Sequence, residues 1–305
     1  MFPIIPASTS GPSGNEGILG FGWAGPVTGN VSTTNLVSNA GVVSADIAGV
    51  GTVRTSLAAC EYGTDTGIYG FGGGPVSITN LVSNSGVVAT DTAGAAGATP
   101  RYALAACSYG GDKGIFGFGY KISPAAYTAI SNLVSNAGVV AADQAATTGT
   151  VRYILAACEY GGDKGIFGFG HPSPTGVTNL VSNTGVVASD TAAVASARRG
   201  PAGCNYSGDR DKGIFAYGLA ASNFNESNLV SNLGVVSTDV TGVGTARNGL
   251  MATQYGDDKG IFCYGTTGGT NVQQMSNLVS NTGVVSTDVA GVGTARDNGA
   301  ACSFG

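Results

Sequence analysis

Arg101-Tyr102-Ala103-Leu104-Ala105-Ala106-Cys107-Ser108-Tyr109-Gly110-Gly111-Asp112-Lys113-Gly114-Ile115-Phe116-Gly117-Phe118-Gly119 holds two strands and the turn between them. The run Tyr102 to Tyr109 is small and apolar on both faces, the pattern of a strand buried on both sides. Gly110-Gly111-Asp112-Lys113 is a turn signal. Gly114 to Gly119 is rich in aromatic and β-branched residues, which suit a second strand. Downstream, Asn132-Leu133-Val134-Ser135 reads as a third strand. Asn136-Ala137-Gly138 forms a hairpin turn, with glycine suited to a positive φ. Val139-Val140-Ala141-Ala142 then reads as a fourth strand. No segment carries a helical apolar period, so almost no helix is expected.

The unit recurs. Gly-Ile stands at Gly17, Gly67, Gly114, Gly165, Gly213 and Gly260. Asn-Leu-Val-Ser-Asn starts at Asn35, Asn80, Asn132, Asn179, Asn228 and Asn277, and Gly-Val-Val follows each time. An Asp comes next (Asp46, Asp91, Asp143, Asp190, Asp239, Asp288), then an Arg (Arg54, Arg101, Arg152, Arg198, Arg247, Arg296). Six landmarks of each kind in fixed order define six units, and four short strands per unit predict a β-propeller. The expectation is an all-β chain: one six-bladed propeller of four-stranded antiparallel blades over residues 14–305, after an N-terminal arm over residues 1–13. The chain starts inside a unit and ends on a first strand. The last strand should therefore pair with the N-terminal blade, closing the ring and hiding its edges.

Composition narrows the function classes. Of 305 residues, 52 are glycine without a three-residue period, so the glycines punctuate turns. Charged residues are only 10% and the net charge is −5, with no Lys/Arg cluster. That argues against a nucleic-acid partner. Met1-Phe2-Pro3-Ile4-Ile5-Pro6 lacks the basic and apolar regions of a signal peptide, and no apolar run reaches membrane length. Synthesis in a cytoplasm without membrane insertion is expected.

Arg152 to Gly170 resembles the kelch repeat: an arginine opening the innermost strand, a small-residue strand, a tight turn and an apolar strand ending in glycine. The resemblance runs through all six units. It departs in lacking the tryptophan late in the kelch unit, since Trp23 is the only tryptophan and lies elsewhere. The wording Asp163-Lys164-Gly165-Ile166-Phe167-Gly168-Phe169-Gly170, with Ser276-Asn277-Leu278-Val279-Ser280-Asn281-Thr282-Gly283-Val284-Val285, is similar to repeats of virion proteins of tailed bacteriophages, cyanobacterial and marine phages among them. That resemblance implies a virion location and other subunits of a viral particle, itself included, as partners.

Candidate chemistry is sparse. The Asp and Arg of each unit stand close in sequence across a turn, and six equivalent copies read as a structural clamp between blades rather than catalytic pairs. His171 is the only histidine, so zinc and copper sites lack ligands, and the copper oxidases built on kelch propellers need more than one. The cysteines at one repeat position (Cys60, Cys107, Cys158, Cys204, Cys302) read as buried, reduced thiols. No cofactor and no catalytic residue is assigned. Individuality lies in the loop between the second and third strands, which carries Trp23, Tyr120, Tyr127, His171 and Phe224 as candidate binding residues. The expected function is a structural or interaction protein of a phage particle, in its tail, adsorption apparatus or head decoration, and not an enzyme. The alternative is a multivalent glycan-binding propeller using equivalent clefts. A hydrolase would need an asymmetric acidic cluster near the centre of the ring.

Overall fold

In the computed structural model, residues 15–146 and 149–305 are described, so the expected arm at 1–13 lies outside them. The described chain is all-β, with no helix. The first sheet orders β2 (Asn30–Val37), β1 (Glu16–Trp23) and β20 (Ala300–Phe304). The second orders β3 (Ala58–Tyr62), β4 (Thr66–Gly70) and β5 (Thr79–Val82); the third, β6 (Ala105–Tyr109), β7 (Lys113–Gly117) and β10 (Ser131–Val134). The fourth orders β11 (Ala156–Tyr160), β12 (Lys164–Gly168) and β13 (Thr178–Val181). The fifth has β14 (Ala202–Asn205), β15 (Gly213–Leu219) and β16 (Asn223–Val230); the sixth, β17 (Met251–Tyr255), β18 (Lys259–Cys263) and β19 (Ser276–Val279). A small hairpin, β8 (Tyr120–Ile122) with β9 (Ala125–Tyr127), projects from the third unit.

Each sheet is antiparallel, and the first and last strands meet in the first one. Glu16 pairs with Phe304 and Ile18 with Cys302, so β20 is the first strand of a sheet begun at the other end of the chain. First strands contact one another in cyclic order, β3–β6–β11–β14–β17–β20 and back to β3. Their small residues (Ala59, Ala106, Ala157, Gly203, Ala252, Ala301) line the narrow space between them.

The units carry three strands, not the expected four. The segment that begins with Gly-Val-Val pairs with its sheet at isolated bridges and forms no strand, as at Val37 with Val43 and Thr34 with Ile47. Between those two bridges the register slips by one residue, a bulge that re-aims a side chain. Asn35 explains it: its Nδ2 donates to the Ser44 carbonyl (3.0 Å) and to Asp46 Oδ1 (2.9 Å), taking the place of ladder bonds. The other five units repeat this capture, as in Asn80 with Ala89 and Asp91.

The sheets fit together through absent side chains. A Cβ on Gly114 would lie 2.5 Å from Cys60 Sγ of the preceding sheet. The same holds for Gly213 against Cys158 (2.5 Å), Gly260 against Cys204 (2.7 Å) and Gly67 against Cys302 (2.5 Å). At Gly17 the occupant is Thr253 Cγ2, at 2.6 Å. The repeated Gly-Ile thus marks close approach of neighbouring sheets. All six thiols are free and buried.

Candidate functional site

Three groups of polar and aromatic side chains stand out, and only one of them is repeated. The repeated group sits at the sheet junctions. Each landmark arginine is fully buried, its guanidinium stacked on an aromatic ring of the preceding sheet: Arg54 on Phe21 at 4.4 Å, Arg296 on Tyr264 at 4.2 Å. In five of the six its Nη2 donates to an asparagine of its own sheet, as from Arg54 to Asn80 Oδ1 at 2.6 Å; the exception is Arg101, whose Nη2 has no hydrogen-bond partner among the described residues. The Asp partner is not the one nearby in sequence. Arg54 faces Asp91, not Asp46, and Asp46 faces Arg296. These ion pairs are long, 3.6 and 3.9 Å. The shorter bonds to each Asp come from a Thr or Ser two residues before the arginine, such as Thr52 Oγ1 to Asp91 Oδ2 at 2.6 Å. The remaining sets are Arg101 with Asp143, Arg152 with Asp190, Arg198 with Asp239 and Arg247 with Asp288.

Electrostatics follow from this geometry. Burial opposes the charge of each Asp, but bonds from Thr or Ser and Asn, with the nearby arginine, hold its carboxyl below the usual carboxylate range. Burial pulls Arg54, Arg101 and Arg152 down to about 10, against the pull of their Asp partners. They remain cationic at neutral pH. Six such networks, one at each junction, hold neighbouring sheets together.

The second group is unique to one edge. Tyr102, Tyr120, Tyr127, Tyr153 and His171 form a continuous half-buried aromatic cluster. Tyr127 and Tyr153 stack with centroids 5.0 Å apart, and His171 meets Tyr153 edge-on at 5.4 Å. Hairpin β8–β9 presents Tyr120 and Tyr127 opposite each other. Arg199 Nη1 lies 3.4 Å from His171 Nδ1. Burial, then the Arg199 charge, lowers the His171 pKa, which favours the neutral imidazole.

Of the loop residues named from sequence, Tyr120, Tyr127 and His171 meet here. Trp23 closes β1, bridged to Asp297, and Phe224 packs its ring over Arg198 at 5.8 Å. Tyr102 and Tyr153 were missed because they precede first strands rather than occupy the loop. Their signal was present: tyrosine follows the landmark arginine only in these two units.

The third group lines the central space. The residue after each cysteine position points there: Glu61, Ser108, Glu159, Asn205, Gln254 and Ser303. Arg210 reaches in from a turn longer than those of the other units. It contacts Glu61 Oε2, and its Nη1 lies 3.7 Å from Glu159 Oε2. Asn205 Nδ2 donates to Glu159 Oε2 at 3.0 Å. Burial raises the Glu159 pKa, opposed by bonds from Ser108 and Asn205. This is an asymmetric acidic pair, yet the open volume is only about 50 Å³, far below that of a substrate pocket.

No protein-family model matches the chain, and no curated protein matches it. Among solved structures, it is similar to a fungal alcohol oxidase of the AA5 family, in complex with copper, at 14% identity and a TM-score of 0.55. The match covers 92% of this chain and 66% of that one, so the chain spans slightly less than two thirds of its neighbour's length. At that identity the likeness shows the fold alone. It nevertheless corrects the expectation that this chain is not an enzyme. That expectation rested on the sparse candidate chemistry of the sequence, and a chain sharing the fold over 92% of these residues is an oxidase.

Copper does not fit the donors present. Among the described residues no group of three or more His, Cys, Asp or Glu side chains is placed to hold a metal ion. The one imidazole faces a guanidinium. Burial pushes the Cys204 and Cys263 thiols up to about 12, away from the thiolate a metal binds.

Proposed function

We propose that the six sheets are the blades of one kelch-like β-propeller, and that the chain is an interaction component of a tailed-phage particle. Its docking surface is the tyrosine-rich edge. Cyclic contact of the first strands and pairing of β20 with β1 support the propeller. The wording of the repeats supports the particle.

The tyrosine cluster carries the functional reading. In a chain whose framework repeats six times, Tyr102, Tyr120, Tyr127 and Tyr153 gather once, on two adjacent units, half-exposed. Tyrosine and arginine are the residue types that anchor protein contacts, because they combine large apolar area with hydrogen-bonding tips. A site meant for six weak, equivalent ligands would repeat with the framework. A single site suits one neighbouring subunit or one host-surface component. Stacked Tyr127 and Tyr153 beside Arg199 also suit a sugar ring, which keeps glycan as the second reading.

The test is cross-linking mass spectrometry on purified particles. Lys121, within hairpin β8–β9, provides the reactive amine beside the cluster. Cross-links from Lys121 to another particle protein are expected. Absence of the chain from the particles, or cross-links only from turn lysines such as Lys113 on the opposite edge, would refute the proposal. Binding of the free protein to a glycan array, lost in Tyr127→Ser/Tyr153→Ser, would favour the second reading.

A further inference from the structure

The central cluster is not part of the docking surface, and its charges do not balance. Two carboxylates, Glu61 and Glu159, face one guanidinium, Arg210. Glu61 is 5% exposed, and its Oε1 has no hydrogen-bond partner. A buried carboxylate oxygen left bare is costly and calls for an explanation. The remaining positions around the space offer neutral oxygens: Ser108, Asn205, Gln254 and Ser303.

We propose that Glu61 and Glu159, with the side-chain oxygens of Asn205 and Gln254, form a calcium site at the centre of the fold, and that Arg210 is a tethered cation occupying it until calcium displaces it. A divalent ion neutralises both carboxylates where the guanidinium neutralises one. Hard oxygen donors in loose, many-membered geometry suit calcium. Magnesium demands a rigid octahedron, and these donors stand on separate strands, β3, β11, β14 and β17, whose spacing is set by the sheets. Softer metals lack thiolate and imidazole here, because the neighbouring cysteines point between sheets, at Gly114, Gly213 and Gly260. The cavity of about 50 Å³ holds an ion with a water or two. The terminal amide of Asn205, which now donates to Glu159 and to Gln254, presents its oxygen after a half-turn.

The plug belongs to one unit only. Tyr206-Ser207-Gly208-Asp209-Arg210-Asp211-Lys212-Gly213 is longer than the equivalent Tyr109-Gly110-Gly111-Asp112-Lys113-Gly114. Arg210 itself has a φ of 53°, left-handed for a non-glycine residue. Asp209 and Asp211 flank it and can receive the released guanidinium at the surface.

The experiment is calorimetric titration of the full chain with calcium chloride, and with magnesium chloride for comparison. One calcium per chain is expected, with a Kd in the roughly 10⁻⁴–10⁻³ M range of extracellular modules and no comparable magnesium binding. Arg210→Ala should tighten calcium at least about tenfold, by removing the internal competitor. Adding Glu61→Gln and Glu159→Gln should abolish binding. Circular dichroism and a thermal melt establish that each variant is folded, and Arg210→Met carries the same expectation if the alanine variant is not. Calcium binding that survives Glu61→Gln/Glu159→Gln, or its absence from the wild-type chain up to about 10 mM, overturns the proposal.

Discussion

Replacing Gly114 by alanine adds one methyl group where neighbouring sheets touch. The new Cβ would sit 2.5 Å from Cys60 Sγ, 3.2 Å from the Glu61 carbonyl and 3.4 Å from Val134 Cβ. Gly114 lies inside β7 and its φ is not positive, so the cost is the contact and not backbone strain. Overpacking of this kind costs about 1–3 kcal/mol, reduced by about 0.4–1 kcal/mol because alanine narrows the unfolded ensemble. A net loss of about 1–2 kcal/mol is expected, seen as a lower urea midpoint at unchanged slope. Cys60→Ala alone empties the opposing space and costs on the order of 1 kcal/mol. Together the two substitutions move one heavy atom's volume across the interface. The double variant should therefore recover at least about 1 kcal/mol relative to the sum of the singles. Simple additivity, or a harmless Gly114→Ala, would refute the packing argument. The same cycle at Gly67 and Cys302 probes the junction between the second sheet and the last strand, β20.

Two further predictions concern pH. The six junction aspartates have folded pKa values below their unfolded ones, so their stabilisation is complete above about pH 4 and is lost as pH falls through the folded values. Urea stability of the wild-type chain should fall steeply below about pH 4, and Asp46→Asn should flatten that slope; an unchanged slope counts against the junction assignment. Asp297 has the opposite sign. Burial raises its pKa to about 6, and its Oδ1 lacks a partner. Its penalty therefore grows between about pH 4 and 6, and Asp297→Asn should stabilise the protein at pH 7 by up to about 3 kcal/mol and do nothing below pH 4.

Much of the architecture was readable from repetition. The Gly-Ile and Asn-Leu-Val-Ser-Asn landmarks place the second and third strands of every sheet, and the frame of the repeat placed the last strand beside the one that begins near Gly17. The fourth strand was misread, because a short apolar run such as Val139-Val140-Ala141-Ala142 does not reveal that Asn132 Nδ2 captures the Ala141 carbonyl and Asp143. The Asp–Arg partnership was misread for a related reason. Asp46 and Arg54 are neighbours in sequence, whereas the contact that forms is set by which sheets are adjacent, and adjacency of distant units is not written in local spacing. The central cluster escaped notice because Glu61 and Glu159 occupy a position that is serine, asparagine or glutamine elsewhere, and Arg210 enters from another unit.

The central claim is that the first and last strands complete one sheet of a closed six-unit ring. A circular permutant tests it most directly. Glu16 pairs with Phe304 as Lys113 pairs with Tyr109, so a Gly-Gly-Asp turn should join Phe304 to Glu16, with residues 1–15 omitted and new ends opened between Gly268 and Gly269. The account predicts a soluble protein with the same circular dichroism and a single cooperative melt at or above the Tm of the natural chain. A permutant that is unfolded, or that melts in separate steps while the natural chain melts in one, would contradict it.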